Sequence, residues 1–99
     1  MFMRKNKKIK EYRKELIEVF SKIKGDKRLM GEFVLDILTP AEFDALALRW
    51  QLVKRLHKGE THRAIAGDLS LGVGTVMRGA RELRNKEGGF ILMLKKLGQ

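Results

Sequence analysis

The sequence contains no cysteine, one proline, two histidines and no long apolar run. Without cysteine the chain forms no disulfide and offers no thiolate metal ligand, and His57 and His62 are too few for a convincing metal cluster. No Ser/His/Asp arrangement or carboxylate pair suggests catalysis, so we expect neither an enzyme nor a resident cofactor. A single proline among many leucine, lysine, arginine and glutamate residues predicts an all-α fold.

Acidic residues are scarce relative to basic ones. The 99 residues include 22 Lys and Arg against 12 Asp and Glu, a formal net charge of +10 with a pI near 10.2. This excess indicates a polyanionic partner, with nucleic acid first and an anionic membrane surface second. No apolar run approaches the roughly 20 residues of a membrane span, and the basic start MFMRKNKKIK is not followed by the apolar core of a signal peptide. We therefore expect a cytoplasmic protein.

The basic residues are densest at the N-terminus. Residues 1–14 carry one acidic side chain, Glu11, among many lysines and arginines. Such density is typical of a mobile, solvated arm, and basic arms of this kind are suited to contact phosphates. We expect residues 15–99 to form a single helical domain.

Apolar residues at helical spacing predict six helices. The first runs from near Ile9 to Gly25, and the second follows Asp26 with an apolar stripe too wide for the surface of a small monomer, which indicates a partner chain. Residues 39–42, Thr-Pro-Ala-Glu, predict the start of the third helix, because they supply an N-cap, a proline at the first helical position and a glutamate three residues after the cap. The residues of the third helix that we expect in the core are Phe43, Leu46, Ala47, Trp50, Val53 and Leu56.

Residues 61–84 have the spacing of a helix-turn-helix. Thr61 can cap the first of two short helices, and a turn at residues 70–73 precedes the second, which opens near Gly74. The crossing angle of such a pair is set by a small residue at the approach and by apolar contacts. The residues expected in these roles are Ala66, the apolar plug Val73, and buried Val76 and Leu83.

The second helix of such a motif can enter the major groove of DNA with its N-terminal residues against the base edges. Arg63, from the preceding helix, is placed to reach a guanine or a phosphate. Gly72 and Gly74 let the backbone approach closely and expose amides to phosphate, although a turn conformation alone would also explain Gly72. The residues predicted to contact DNA are Thr61, His62, Arg63, Gly72, Val73, Gly74, Thr75 and Met77.

Gly79 lies inside the helical stretch TVMRGARELR, residues 75–84. Glycine in a helix costs roughly 1 kcal/mol relative to alanine, so the missing side chain needs a reason. Two reasons remain open from the residues alone. Gly79 either allows close packing against another helix or leaves room for a flat ligand beside Arg78.

These motifs resemble those of the Trp repressor family over the stretch from Leu38 to Leu83. The most specific matches are residues 38–40 (Leu-Thr-Pro), Arg49 in the third helix, and residues 75–79 (Thr-Val-Met-Arg-Gly). The resemblance implies a six-helix fold in an intertwined homodimer whose two helix-turn-helix units read a near-palindromic operator. Half-sites of such a two-fold dimer lie about one helical turn, roughly 34 Å, apart. It also implies a transcriptional regulator, in this family a repressor with L-tryptophan as its corepressor.

The resemblance further implies a ligand site. In the family the indole of L-tryptophan lies between two arginines that match Arg49 and Arg78, and the glycine after the second, Gly79, leaves room for the ring. Guanidinium planes stack on aromatic faces and pair with carboxylates. The ligand's ammonium is held at the start of the third helix, which corresponds to Leu38 and Thr39. In the family, ligand binding shifts the population toward an arrangement in which the two helix-turn-helix units fit successive major grooves of DNA.

The chain departs from the family at Glu82, where the family has a serine near the ligand's ammonium. A carboxylate there either pairs with that ammonium or pairs with Arg78 one helical turn away, an exposed pair worth about 0.3–0.5 kcal/mol. Relative to the best-known members of the family, this chain also has one residue fewer between Glu60 and Thr61. Ala66 and Met77 replace polar side chains that face DNA, so the family's operator sequence does not transfer to this chain.

Two other readings stay open. Within DNA binding, the protein could take another ligand or none, with Arg78 and Glu82 paired internally and Gly79 serving only helix packing. From another class, a basic helical interaction module would bind RNA, anionic lipid or a protein partner through its N-terminal arm and the apolar stripe of its second helix.

Overall fold

A computed structural model of the chain describes the backbone of residues 2–99 and the side chains of residues 8–99. Six helices account for most of this stretch, which contains no β-strand, and the predicted all-α class is confirmed. The helices are α1 (Phe2–Ser21), α2 (Lys27–Ile37), α3 (Pro40–His57), α4 (His62–Leu69), α5 (Val73–Leu83) and α6 (Gly89–Lys96). They fall into two compact units, Met1–Thr39 and Pro40–Gln99.

The first helix starts earlier than the spacing of its apolar residues predicts. α1 is helical from Phe2, well before Ile9, so the segment expected to be an arm enters the fold as helix. Lysine, arginine and glutamate lose little side-chain freedom in a helix, and residues 2–24 contain neither glycine nor proline. The helix gives way to a turn in which Lys24 and Gly25 adopt φ of 49° and 80°. Mobility of the basic segment remains a prediction.

The unit Met1–Thr39 has well-formed helices and little core. α2 begins at Asp26, whose carboxylate accepts a hydrogen bond from the Leu29 N–H at 3.0 Å. Phe20 and Phe33 form an edge-to-face pair with ring centroids 5.4 Å apart. No residue of α2 is buried in the single chain. The exposed apolar side chains of this helix are Leu29, Met30, Leu35 and Ile37.

The unit Pro40–Gln99 is built around a true core. α3 packs against α4 and α5, and α5 also contacts α6. Leu52, Ile65 and Val76 are completely buried and bring one side chain from each of α3, α4 and α5 into a single cluster. This arrangement fixes the helix-turn-helix against α3, because each of its helices contributes a residue that loses its hydrophobic stabilisation if the helix moves away.

The core face of α3 differs from the predicted one. Phe43, Leu46 and Ala47, expected in the core, are exposed, whereas Leu52, which the spacing did not single out, is fully buried. Val53 is buried as expected. Apolar residues occur on several faces of α3, so their spacing alone does not choose the face that the other helices cover.

Candidate ligand cavity and nucleic-acid interface

The helix-turn-helix is present at residues 61–84, with Ser70 rather than a glycine making the turn. The Thr61 hydroxyl accepts a hydrogen bond from the Ala64 N–H at 3.2 Å and so caps α4. Ser70 adopts the left-handed conformation (φ 54°, ψ 42°), and the Leu71 N–H then donates to the Ala66 carbonyl at 3.0 Å. α5 follows directly from Val73, a residue earlier than the predicted opening at Gly74.

The backbone does not require glycine at Gly72 or at Gly74, the two glycines predicted to contact DNA. Gly72, the N-cap, has φ −68° and ψ 149°, which any residue adopts, so a turn conformation does not explain it. An added Cβ would meet nothing within 4 Å at Gly72 or at Gly74. The space outside these two residues is therefore open to an approaching molecule.

The N-terminal part of α5 presents apolar side chains to solvent. Val73 is 58% exposed and Met77 is 52% exposed. The interpretation of Val73 as an apolar plug was wrong, because the completely buried side chain on this helix is Val76, with Leu71 of the turn packed against the same cluster. His62 and Arg63, in the first turn of α4, are also exposed.

An ionic network connects α3 to α4. Arg55 contacts the carboxylates of Glu60 and Asp68, each at 2.6 Å, and its Nε donates to Glu60 at 2.8 Å. Hydrogen bonds to Glu60 and then to Asp68 raise the pKa of Arg55 above its ordinary value. Since Glu60 immediately precedes the α4 cap and Asp68 lies near its end, the network holds both ends of α4. This network was not predicted from the sequence.

A cavity of about 230 Å³ opens between α3, α5 and α6. Four of the residues predicted for the ligand site lie in its wall: Arg49 from α3, and Arg78, Gly79 and Glu82 from α5. The wall also includes Leu52, Thr75 and Phe90, of which Thr75 was predicted only as a DNA contact.

The three lining residues that were not predicted for the ligand site differ in whether the sequence pattern indicates them. Leu52 and Thr75 each stand three residues from an arginine of the site, a spacing that places them on the same helical face. Phe90 stands eleven positions after Gly79 on a separate helix, and no pattern around it points to the cavity.

The remaining two predicted ligand contacts, Leu38 and Thr39, end the other unit. Leu38 is half-buried and closes α2 by donating its N–H to the Val34 carbonyl at 3.0 Å. Their role toward an ammonium group remains a prediction.

Gly79 is buried and faces α3. A Cβ at this position would lie 2.9 Å from Leu52 Cδ2 and 3.5 Å from Leu56 Cδ1. Contacts below 3.0 Å force a neighbour to move, and Leu52 is fully enclosed. The missing side chain therefore allows α5 to approach α3 closely, and Gly79 lines the cavity at the same place.

The charged groups of the cavity are not paired with each other. In the part of the chain whose side chains are described, Arg78 and Glu82 form no ion pair, and neither does Arg49. The internal Arg78–Glu82 pair considered from the sequence is therefore not formed. Both guanidinium groups and the carboxylate remain available to a ligand.

The described residues offer no obvious site for a metal ion. They contain no group of three or more histidine, cysteine, aspartate or glutamate side chains placed to share one. None of the helices in this same stretch combines the length and the hydropathy that crossing a bilayer demands.

The family model of the Trp repressor protein matches residues 12–98. The chain belongs to the Trp repressor family. A Trp operon repressor homolog of Actinobacillus succinogenes is 36% identical over 66 residues, covering 66% of this chain and 65% of that protein. One of Vibrio vulnificus (strain YJ016) is 41% identical over 51 residues, half of each chain. The chain thus spans less than two thirds of these relatives' length, and no solved structure matches it significantly.

Membership of the Trp repressor family gives the two parts of the site their context. The family consists of transcriptional regulators, the class of function expected from the sequence. Both helices of the α4–α5 motif lie within the matched residues. The cavity brings together Arg49 and Arg78, the two arginines that the resemblance pairs around a ligand.

Proposed function

We propose that this protein is a sequence-specific transcriptional repressor whose helix-turn-helix reads operator DNA. The observation that carries the proposal is the exposed N-terminal end of α5, which is open at Gly72 and Gly74, and the first turn of α4 adds an exposed cation, Arg63. A backbone free to approach base edges, on a motif that also exposes a guanidinium group, suits the major groove. The net charge of +10 supplies the general attraction to the DNA backbone.

The second part of the proposal is a homodimer on a near-palindromic operator. α2 carries exposed apolar residues, among them Leu35 at 60% exposure, and buries none of its residues within one chain. A second copy that covers this helix would remove that apolar surface from water. Two-fold symmetry of the protein then matches two-fold symmetry of the operator.

The third part is L-tryptophan as corepressor, bound in the cavity. Its volume of about 230 Å³ is smaller than the roughly 300–1,000 Å³ of sites for drug-sized ligands, which suits an amino acid. Arg49 and Arg78 supply guanidinium planes that stack on an aromatic ring or pair with a carboxylate. Across residues 8–99, whose side chains the structure describes, no Arg78–Glu82 pair occupies the site, which favours a ligand-binding cavity over an internally paired one.

The test is selection of bound duplexes from a randomised library of about 30 base pairs, followed by affinity measurements on selected and random DNA. We expect a preference of at least ~10³ for selected sequences, two-fold symmetry in them, and affinity that falls steeply with salt on both kinds of DNA. Millimolar L-tryptophan should raise the preference. Salt dependence without any preference would instead favour the basic interaction module that binds RNA, anionic lipid or a protein partner.

A matched pair of variants distinguishes base recognition by Arg63 from the general effect of a positive charge on DNA binding. Arg63→Ala is expected to weaken binding to the selected DNA by about 1–3 kcal/mol if the guanidinium reads a base. Arg81→Ala removes the same charge from an exposed position on α5 that is outside the predicted contacts. An equal loss for Arg63→Ala on selected and on random DNA would assign Arg63 to a phosphate contact, whereas a loss no larger than that of Arg81→Ala would leave only a general effect of charge.

A further inference from the structure

The lining of the cavity combines charges of both signs. Arg49 and Arg78 stand with Glu82 around an interior that Leu52 and Phe90 make partly apolar. One turn of α5 separates Arg78 from Glu82, a spacing at which opposite charges commonly meet. They do not meet here, although Arg55 in the same unit binds two carboxylates at 2.6 Å. Glu82 is therefore a carboxylate at the cavity wall without a cation among the described side chains.

The sum of these charges sets a requirement on the ligand. Two guanidinium groups favour a ligand with a carboxylate, and by itself that preference would admit any small aromatic acid. A carboxylate that stands in the same wall repels such an acid and attracts an ammonium group. A ligand that carries both a carboxylate and an ammonium group can pair with the arginines and with Glu82. A ligand with only one of these groups leaves either the arginines or Glu82 without a partner.

We propose that Glu82 is the specificity-determining residue of the cavity and restricts it to ligands that carry an ammonium group together with a carboxylate. This inference rests on the proposed function, in which the cavity binds the corepressor. It adds a charge filter within that site, so that the free amino acid is bound and the corresponding acid without an amine is rejected.

The experiment is calorimetric titration of the full-length protein with three probes that share the indole ring. L-Tryptophan carries both groups, indole-3-propionate lacks the ammonium and tryptamine lacks the carboxylate. The unmodified chain should bind L-tryptophan at least about tenfold more tightly than either of the others. Calorimetry avoids the fluorescence of Trp50, which lies on the same helix as Arg49.

Two variants isolate the carboxylate. Glu82→Gln keeps the size and removes the charge, so it should weaken L-tryptophan binding about tenfold and leave indole-3-propionate unchanged or bound more tightly. Glu87→Gln makes the same change at an exposed position outside the cavity lining and should alter neither. Helical circular dichroism of each variant establishes that it is folded.

The outcomes separate the two levels of the proposal. If L-tryptophan and indole-3-propionate bind equally well, with or without the Glu82 charge, the charge filter is overturned while the corepressor site stands. If none of the three probes gives heat in a folded protein that still binds DNA, the ligand site itself is overturned, and the filter with it.

Discussion

The two units of this chain treat their apolar residues in opposite ways. In Pro40–Gln99, Leu52, Val53, Ile65 and Val76 are completely buried. In the described part of Met1–Thr39 the most buried apolar residue is Ile23, at 9% exposure. Both units form their helices with ordinary caps, so the difference lies in what covers the helices.

The comparison teaches that helix formation and core formation are separate requirements. Helix propensity, caps and turn residues act locally and succeed in both units. Most helical stability in proteins nevertheless comes from burying an apolar face, and among the described residues of one chain the largest such cluster surrounds Leu52, Ile65 and Val76. We expect the first unit to obtain it from a second copy.

The largest effect should come from opening the core of the second unit. Leu52→Ala is expected to reduce the free energy of unfolding by about 2–5 kcal/mol, because it removes a fully buried side chain and leaves a cavity. Urea unfolding at one protein concentration measures the loss. Leu92→Ala, at a position 56% exposed on α6, is the control and should cost less than about 1 kcal/mol. Equal losses would mean that the second unit has no distinct core.

A smaller loss is expected from crowding the α3–α5 contact. Gly79→Ala places a Cβ 2.9 Å from Leu52 and should destabilise the protein by about 1–3 kcal/mol. Gly74→Ala, on the same helix with nothing within 4 Å, should be neutral or stabilise it by up to about 1 kcal/mol. Thermal unfolding of the two variants compares them directly. Stabilisation by both would show that α5 does not depend on close approach to α3.

The exposed apolar face of α2 allows a test of the first unit, Met1–Thr39. Leu35→Glu is expected to raise the dissociation constant of the dimer at least about tenfold, since burying a leucine contributes about 1.5–3 kcal/mol. Analytical ultracentrifugation over a range of concentrations measures it. Lys22→Gln makes the same charge change at an exposed residue after α1 and should have little effect. If the unmodified protein is monomeric at micromolar concentration, the proposed homodimer is overturned.

The smallest effect concerns the ionic network that holds α4. Hydrogen bonds to Glu60 and then to Asp68 raise the pKa of Arg55, a side chain that is charged across the accessible pH range in any case. Arg55→Gln should lower the melting temperature slightly at low salt, and the difference should shrink in about 1 M salt, where screening acts within roughly 3 Å. Arg81→Gln, exposed and without an ion pair in the described stretch, is the control. A loss that does not depend on salt would point to packing of the Arg55 side chain instead.

The elements that could be predicted from the sequence are those with local causes. Asp26 and Thr61 cap their helices as expected, since a cap depends on a side chain and amides within three residues. The helix-turn-helix lies at the predicted residues, and four predicted ligand contacts line one cavity. Here the resemblance to a family supplied what local pattern could not, because Arg49 and Arg78 are 29 positions apart in the chain.

The sequence by itself determined the helices and their caps, because each depends on side chains within a turn or two of one another, and its composition determined the basic charge. Only the tertiary structure decided that Leu52 faces the core, that Phe90 joins the cavity and that Gly79 is needed for the approach of α5 to α3. These depend on which helices pack together and how closely. Such distances are set by whole surfaces fitting against each other, and no stretch of sequence carries them alone.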